Sequence, residues 1–423
     1  MAEQSSSCAT TSGRKDNSSP AKCPSHRRFW INQPVVQRSG GINLKDSHIK
    51  SPDSLSRFLN FSEHRLPNQF EWVSIDVNTD RSFHDFITRY YFDGGEEDTR
   101  VLNFPYSPVF LRWFLCAPGF IRSLHVGIRD KRSEKLAGFM AGTPAAIRIK
   151  TESHRVVVAN LLCLHKAHRS KLLACVLINE LARRATVNQI WQGVYATEAR
   201  VSTPLCSCEW FQRLLNPAKL RKLGYVIKKN KTEERSNVEI QNLPPEPETI
   251  GFRKMKRQDI ASVVDLLNDY LKTFTVAPVV DVHFVEHFLV PKQGLVDSYV
   301  VQDPETQEIT DFCSFVIQKK EIVKKRKQWE VKCAVLFYYA ASKTSLLNLI
   351  RDLVTMACRK DCDIFRAQGI MGNDLFLDKL KFETVPYKKV LHYYLYNYGL
   401  MNVLRPKELG LVLDGSNKNR TKL

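Results

Sequence analysis

The pattern of apolar and polar positions occurs twice along the chain. In the first occurrence, residues 71–76 alternate like a strand and a helix is predicted near 81–91. In the second, a short strand at 251–254 precedes a helix over 258–272, where Ile260, Val263, Val264, Leu267 and Leu271 recur at helical spacing. A hairpin follows in each: 125–129 with 136–141, and 299–302 with 309–317. Each occurrence then has a long apolar strand feeding a helix, 156–164 into 171–184 and 333–340 into 345–359. A further strand, 190–196 or 363–367, and a short closing helix, 208–215 or 374–380, complete the unit. The order strand, helix, hairpin, strand, helix, strand, helix thus predicts a duplicated α/β unit around a mixed sheet.

The breaks in this pattern set the expected domains. Residues 1–26 are rich in Ser, Thr, Lys and Pro and are expected to be a disordered tail, with 27–65 an extended arm. Pro244, Pro245 and Pro247 lie among charges at the break between halves, which are placed at 66–240 and 241–413. Residues 414–423 form a polar extension.

Composition narrows the classes. The chain has 423 residues, 43% of them hydrophobic, with six Trp and 23 Phe, so a large core is within reach. No apolar run approaches the roughly 18–20 residues that cross a bilayer, and no signal-peptide pattern opens the chain. Eleven cysteines without a repeating frame fit a reducing, cytoplasmic setting. The pairs Cys206-x-Cys208 and Cys358-x3-Cys362 lack partner clusters, so no metal site is expected. The spacing His283-x-x-Glu286-His287 matches an inverted zinc-peptidase motif without a third ligand, and an ordinary helix is the simpler reading.

The net charge of +19 calls for a polyanionic partner: nucleic acid, an anionic membrane or a phosphorylated cofactor. Its densest run, Lys319 to Lys327, reads as a solvated basic hairpin loop, with a nuclear signal or an RNA contact as the alternatives. No zinc finger or RRM signature accompanies it, and no DNA partner is expected.

The segment from Asn160 to Lys171 carries the candidate chemistry. It is a buried strand that breaks into a basic turn and then a helix. Leu161 and Leu162 are the candidate oxyanion donors through their backbone N–H groups, which a β-bulge would turn toward a thioester carbonyl. Arg169, Ser170 and Lys171 stand at the helix start, where phosphates bind. On pattern alone, a plain buried strand with a basic helix cap is an equal reading. There is no Gly-x-Ser-x-Gly elbow, Walker loop or Gly-x-Gly-x-x-Gly.

A series of short motifs then resembles the glycylpeptide N-myristoyltransferase family. They are Phe29-Trp30-x-x-Gln33-Pro34-Val35, Leu66-Pro67-x-x-Phe70-x-Trp72, Phe104-x-Tyr106-Ser107-Pro108, Pro118-Gly119-Phe120 and Asn160-Leu-Leu-Cys-Leu-His165-Lys166. Downstream come Leu215-Asn216-Pro217, Asp311-Phe312-x-Ser314-Phe315, Tyr394-Leu395-Tyr396-Asn397 and Gly410-Leu411-Val412-Leu413. The resemblance implies an α/β fold made of a duplicated GNAT-like (acyl-CoA N-acyltransferase) unit, with a mixed, saddle-like sheet and flanking helices. It implies a transferase that moves myristate from myristoyl-CoA, as donor substrate, to the N-terminal glycine of proteins, as a monomer needing no cofactor or metal. By resemblance the first half binds myristoyl-CoA, the second the peptide, and the arm closes over CoA through Arg28, Phe29 and Trp30. Leu161 and Leu162 become the oxyanion hole, Cys163 and Leu164 continue the CoA contact, and Ser170, Leu172, Leu173 and Ala174 line its pyrophosphate and pantetheine. Peptide recognition maps onto Tyr91, Glu96, Glu97, Asp98, Leu102, Phe104, Tyr106, Ser314 and Tyr338.

The family's general base is its terminal carboxylate, placed just after Gly-Leu-Val-Leu. Here the sequence continues with Asp414, whose side chain becomes the candidate base. A glycine-rich segment of the family is replaced by Glu383-Thr384-Val385-Pro386-Tyr387, and a groove histidine by Gln212. The family's Tyr-Thr-Ala-Gly is Tyr195-Ala196-Thr197-Glu198, its Phe in the oxyanion strand is Leu161, and its Asn after Phe-Tyr is Tyr339. Three readings stand: an active divergent enzyme, a paralogue that binds acyl-CoA or peptides with impaired transfer, and a basic nucleic-acid or ribosome-associated adaptor.

Overall fold

The computed structural model describes residues 29–37, 46–51, 62–91, 104–169, 172–225, 243–324, 327–385 and 390–413. The first half contributes β1 (Ser47–His48), β2 (Phe70–Ser74), α1 (Arg81–Tyr90), α2 (Pro108–Leu115), β3 (His125–Asp130), β4 (Leu136–Ile149), β5 (Glu152–Leu164), α3 (Leu173–Val187), β6 (Gln192–Thr197), β7 (Cys206–Leu214) and α4 (Pro217–Lys222). The second contributes β8 (Phe252–Lys254), α5 (Ile260–Leu271), β9 (Val276–Pro278), α6 (Val282–Phe284), β10 (Val296–Gln302), β11 (Ile309–Lys324), β12 (Lys327–Ala341), α7 (Leu346–Arg359), β13 (Ile364–Gln368), α8 (Asp374–Leu377), β14 (Glu383–Thr384), β15 (Val390–Tyr396) and β16 (Tyr398–Gly399).

One mixed sheet runs through both halves in the order β2-β3-β4-β5-β6-β15-β7-β13-β12-β11-β10-β8. The pair β5–β6 is parallel, and so is its counterpart β12–β13. At the centre the halves exchange strands. β7 leaves the first half to pair with β13, and β15 leaves the second to pair with β6. The duplicated plan expected from the pattern is therefore present, closed by a swap that periodicity could not show.

One expected element is corrected. Residues 208–215 are not the short closing helix; most of them belong to strand β7. β7 is hydrogen-bonded on both sides, to β15 and to β13, and those ladders override local propensity. The closing helix comes later, as α4, with Pro217 in its first turn and the Asn216 side chain accepting from Lys219 N at 3.2 Å.

Helix α3 packs close to the first half of the sheet because two strand positions lack side chains. A Cβ at Gly138 would meet Leu164 Cδ2 at 2.7 Å, and one at Gly142 would meet Leu181 Cδ1 at 2.7 Å. Leu177 and Leu181 of α3 pack there on Leu124, Val126 and Val157, while α1 and α2 cover the other face with Phe83, Ile87 and Phe110 around Phe139.

Polar contacts fix α3 as well. Glu180 is fully buried and accepts from Arg183 Nη2 at 2.7 Å, from Arg184 Nε at 2.8 Å and from His64 N at 3.1 Å. Burial would raise its carboxyl pKa, but the bonds from His64, Arg183 and Arg184 overcome this and hold it below the ordinary carboxylate range. A depressed native pKa adds stability above the unfolded-state value, and that stability is lost as pH falls through the native one. Glu180→Gln is expected to cost about 3 kcal/mol at neutral pH, since it removes the buried carboxylate that pairs with both Arg183 and Arg184. It should also flatten the decline of stability on acidification below about pH 5, read by urea unfolding at several pH values.

Candidate active site

The site begins at an irregularity between β4 and β5. Phe139 pairs with Cys163 and Ala141 with Asn160, so Leu161 and Leu162 together face the single residue Met140. This is the expected β-bulge. Leu161 takes a left-handed conformation with φ 55°, uncommon for a side chain of its size. The bulge sends the two side chains to opposite faces: Leu161 packs with Tyr91, Tyr106 and Phe139, and Leu162 packs under α3. Cys163 beside them is buried, and burial pushes its thiol far above the usual range, so it is no nucleophile.

The same bulge recurs in the second half. Cys313 pairs with Tyr339 and Phe315 with Leu336, leaving Phe337 and Tyr338 opposite Ser314. There the polar groups are satisfied internally. Tyr338 N donates to Ser314 Oγ at 3.2 Å, and Ser314 Oγ donates to Tyr338 O at 2.8 Å. Ser314 is wholly buried, which makes it a support for Tyr338.

Beyond their parallel contact at Val156–Val158, β5 and β6 have no further paired positions, and a cavity opens between them and α3. It occupies about 890 Å³ including its mouth, and Leu162, Leu181, Ala185, Ile190 and Tyr195 line it. The arm closes one side. Trp30 stacks on Tyr195 at 6.0 Å with Phe29 edge-on at 5.2 Å, and Gln33 bonds both Asn179 and the Tyr396 hydroxyl. At the other end α3 starts at Leu173 after Leu172, which is left-handed and exposed. Among the described residues no side chain caps α3, so its first N–H groups, those of Leu173 and Ala174 included, are suited to an anion. Arg169 is engaged elsewhere: its guanidinium donates to Leu164 O at 3.3 Å and Tyr90 O at 2.9 Å, tying the turn to α1.

A second cavity, about 1330 Å³ with its mouth, lies on the other side of the bulge strand. Trp113, Phe114, Trp210, Phe337 and Tyr338 form its walls, and Asn160 lines both cavities. The segment Leu411–Leu413 enters it and is tightly held. Val412 N donates to Tyr338 Oη at 3.2 Å, Leu413 N to Tyr393 Oη at 3.2 Å, and Gln368 Nε2 to Leu413 O at 2.7 Å. Tyr393 Oη in turn donates to Gln368 Oε1. Gln368→Leu would leave the buried Leu413 carbonyl without a donor and the Tyr393 hydroxyl proton without its acceptor. It is expected to cost about 1–3 kcal/mol, measured by chemical unfolding.

Other sequence candidates fall around this cavity without lining it. Tyr91 and Tyr106 are buried 6.1 Å apart beneath it, and Phe104 is buried under the Arg366 guanidinium at 5.2 Å. Gln212 is buried, and its Oε1 accepts from Tyr225 Oη at 2.8 Å. The departing residues Glu383 and Thr384 pair with Gln212 and Phe211 as β14. Tyr339 turns away, donating to Asn373 Oδ1 at 2.8 Å. Glu286 pairs with Arg257, and the His287 ring bonds Trp113 O, so the zinc-like spacing is used in packing. Arg28, Glu96, Glu97, Asp98, Leu102, Ser170, Lys171 and Asp414 lie outside the described residues. Sequence reasoning missed Trp113, Trp210, Gln368 and Tyr393. Only Gln368 left a signal, as a polar residue closing the buried run of β13.

Comparison with known proteins matches this architecture half by half. The N-terminal domain model of myristoyl-CoA:protein N-myristoyltransferase matches residues 50–208, and the C-terminal domain model matches 222–412. Glycylpeptide N-tetradecanoyltransferase 1 of Arabidopsis thaliana is 39% identical over 401 residues, covering 94% of this chain and 91% of that one. The Drosophila melanogaster glycylpeptide N-tetradecanoyltransferase is 32% identical over 91% of this chain and 80% of its own length. The crystal structure of Saccharomyces cerevisiae N-myristoyltransferase with bound myristoyl-CoA superposes with a TM-score of 0.83 at 28% identity, over 91% of this chain and 99% of that one. Matched in order through both halves, and at 39% identity over nearly its whole length, the chain belongs to the N-myristoyltransferase family.

Proposed function

We propose that this chain transfers myristate from myristoyl-CoA to the N-terminal glycine of protein substrates. The observation that carries the reading is the bulge at Leu161–Leu162, set between an apolar cavity under α3 and a second cavity that receives the chain's own Leu411–Leu413. Residues 66–240 would hold the donor and 241–413 the peptide. Both cavities belong to one chain, so a monomer suffices. Among the described residues no helix is long and apolar enough to cross a membrane.

In this reading the acyl chain fills the cavity under α3, and the uncapped start of α3 takes CoA phosphate. The N–H groups of Leu161 and Leu162 face the thioester oxygen; such donors contribute about 3–4 kcal/mol each to the transition state. The glycine amine arrives through the second cavity, and Asp414, the residue after Leu413, takes a proton from its ammonium. The free amine attacks the thioester carbon, the C–S bond breaks, and an amide forms as its nitrogen sheds the second proton, which the departing thiolate takes up to leave as CoA.

The test is acyl transfer from myristoyl-CoA to a glycine-initiated peptide, with the full chain and with chains ending at Leu413 and Asp414. Transfer by the full chain supports the reading. Tight myristoyl-CoA binding with no transfer by any of the three would make the chain a binding paralogue instead. The pairing of Glu383 and Thr384 with Phe211 and Gln212, where the family has glycines, is the feature that favours that second reading.

A further inference from the structure

Two stretches of the arm are described, residues 29–37 and 46–51, and Asn397 holds both. Asn397 follows β15, the strand that the second half lends to the first. It is wholly buried and left-handed, with φ 58°, a conformation asparagine takes more readily than most residues with a side chain. Its backbone N–H donates to Pro34 O at 2.7 Å. Its side chain accepts from Lys50 N at 2.8 Å and donates to Lys50 O and to Trp191 O, each at 3.1 Å. An amide offers two N–H groups and an acceptor on one short stem, and here all three are used. An aspartate of the same shape would set a carboxylate against two carbonyls. Pro34 and Lys50 are thus brought to one buried residue from positions sixteen apart in the sequence.

The backbones joined at Asn397 carry walls of the cavity under α3. Trp30, Trp191, Gln192 and Tyr396 all line it. Trp30 precedes Pro34 by four residues, Tyr396 directly precedes Asn397, and Trp191 accepts from the Asn397 amide. The second stretch of the arm reaches the same wall through His48, whose Nδ1 bonds Gln192 Nε2 at 2.6 Å. The start of that stretch is held by Asp46, which accepts from Met401 N at 2.8 Å and pairs with Lys150. We propose that Asn397 is a positioning residue that locks the arm over this cavity and so sets how fast an acyl-CoA leaves it. The inference rests on the reading that the cavity holds the acyl chain. Trp30 is the wall that the arm supplies, and lifting it opens an apolar cavity to water. Asn397 opposes that opening from both stretches at once, so loosening its hold on Lys50 also loosens its hold on Pro34.

The experiment compares the full chain with two variants. Asn397→Gly keeps the left-handed backbone and loses the three side-chain bonds. Lys50→Pro, at an exposed residue of the arm, removes only the N–H that Asn397 accepts, and so guards against a core substitution that merely fails to fold. Dissociation of labelled myristoyl-CoA into excess unlabelled ligand should be about tenfold faster in both variants, the equivalent of one or two net hydrogen bonds. The KM for a glycine-initiated peptide should not change. Without ligand, hydrogen exchange of residues 29–37 should also be about tenfold faster in both, although Lys50→Pro removes no bond from that stretch. Parent-like exchange in Lys50→Pro overturns the proposal, and so does parent-like dissociation of myristoyl-CoA from that variant. An unmodified chain that fails to bind myristoyl-CoA would overturn the functional reading instead, and the exchange alone then decides whether Asn397 locks the arm.

Discussion

Asp414→Ala in the full chain is expected to slow acyl transfer about 10²–10⁴-fold, the range lost with a positioned general base. Binding of myristoyl-CoA should not change. The reason lies in how the chain reaches the cavity. Gln368 holds the Leu413 carbonyl, Tyr393 holds the Leu413 amide, and Tyr338 holds the Val412 amide before it. With a peptide bond following Leu413, that oxygen is a carbonyl and cannot take a proton at neutral pH. The next carboxylate along the chain is Asp414. The pH profile should change with the substitution. Without a base, transfer depends on the fraction of substrate already present as free amine. The rate should therefore climb about tenfold per unit until pH passes the amine's pKa near 8. A chain ending at Leu413 should recover activity, because its α-carboxylate would occupy the position now taken by the Leu413 carbonyl. An Asp414→Ala chain as fast as the parent would remove Asp414 from the mechanism.

Ala185→Phe is expected to lower kcat/KM for myristoyl-CoA by about 10²-fold and shift preference toward shorter acyl chains. Ala185 and Ile190 line the cavity proposed to hold the donor. The register places Gln192 beside Val156, five residues before Leu161, or about 16 Å along the strand. That span is close to the length of an extended fourteen-carbon chain. A phenyl ring at 185 would displace the terminal carbons, and each buried methylene contributes about 0.8 kcal/mol, so losing three or four costs about 3 kcal/mol. A set of acyl-CoA substrates of graded length reads this directly. If the variant's optimum stays at fourteen carbons, the acyl chain does not lie along this path.

The parts of the fold visible in the sequence are those whose signal is local. The helices α5 and α7 carry apolar stripes, and the hairpins carry turn residues between alternating runs. The place of Leu161 at the end of a buried strand before a basic turn makes a bulge one of two readings there, yet its left-handed φ depends on pairing with β4. The central strand β7 carries no such local signal, because Trp210, Phe211 and Gln212 acquire strand geometry only between β15 and β13. The clamp on Leu413 was invisible for a related reason. Gln368, Tyr393 and Leu413 are separated by 20 to 45 residues and meet only once the second half has folded.

The exchange of β7 and β15 bears on how such a chain can be divided. Tyr396, which lines the cavity under α3, is supplied by the second half, while Trp210 in the second cavity is supplied by the first. Each half expressed alone would present an open edge where its borrowed strand belongs and a cavity missing a wall. The duplication is therefore one indivisible unit: recombination that swaps whole halves between relatives must preserve the fit of the central strand pair as well as the residues of each cavity.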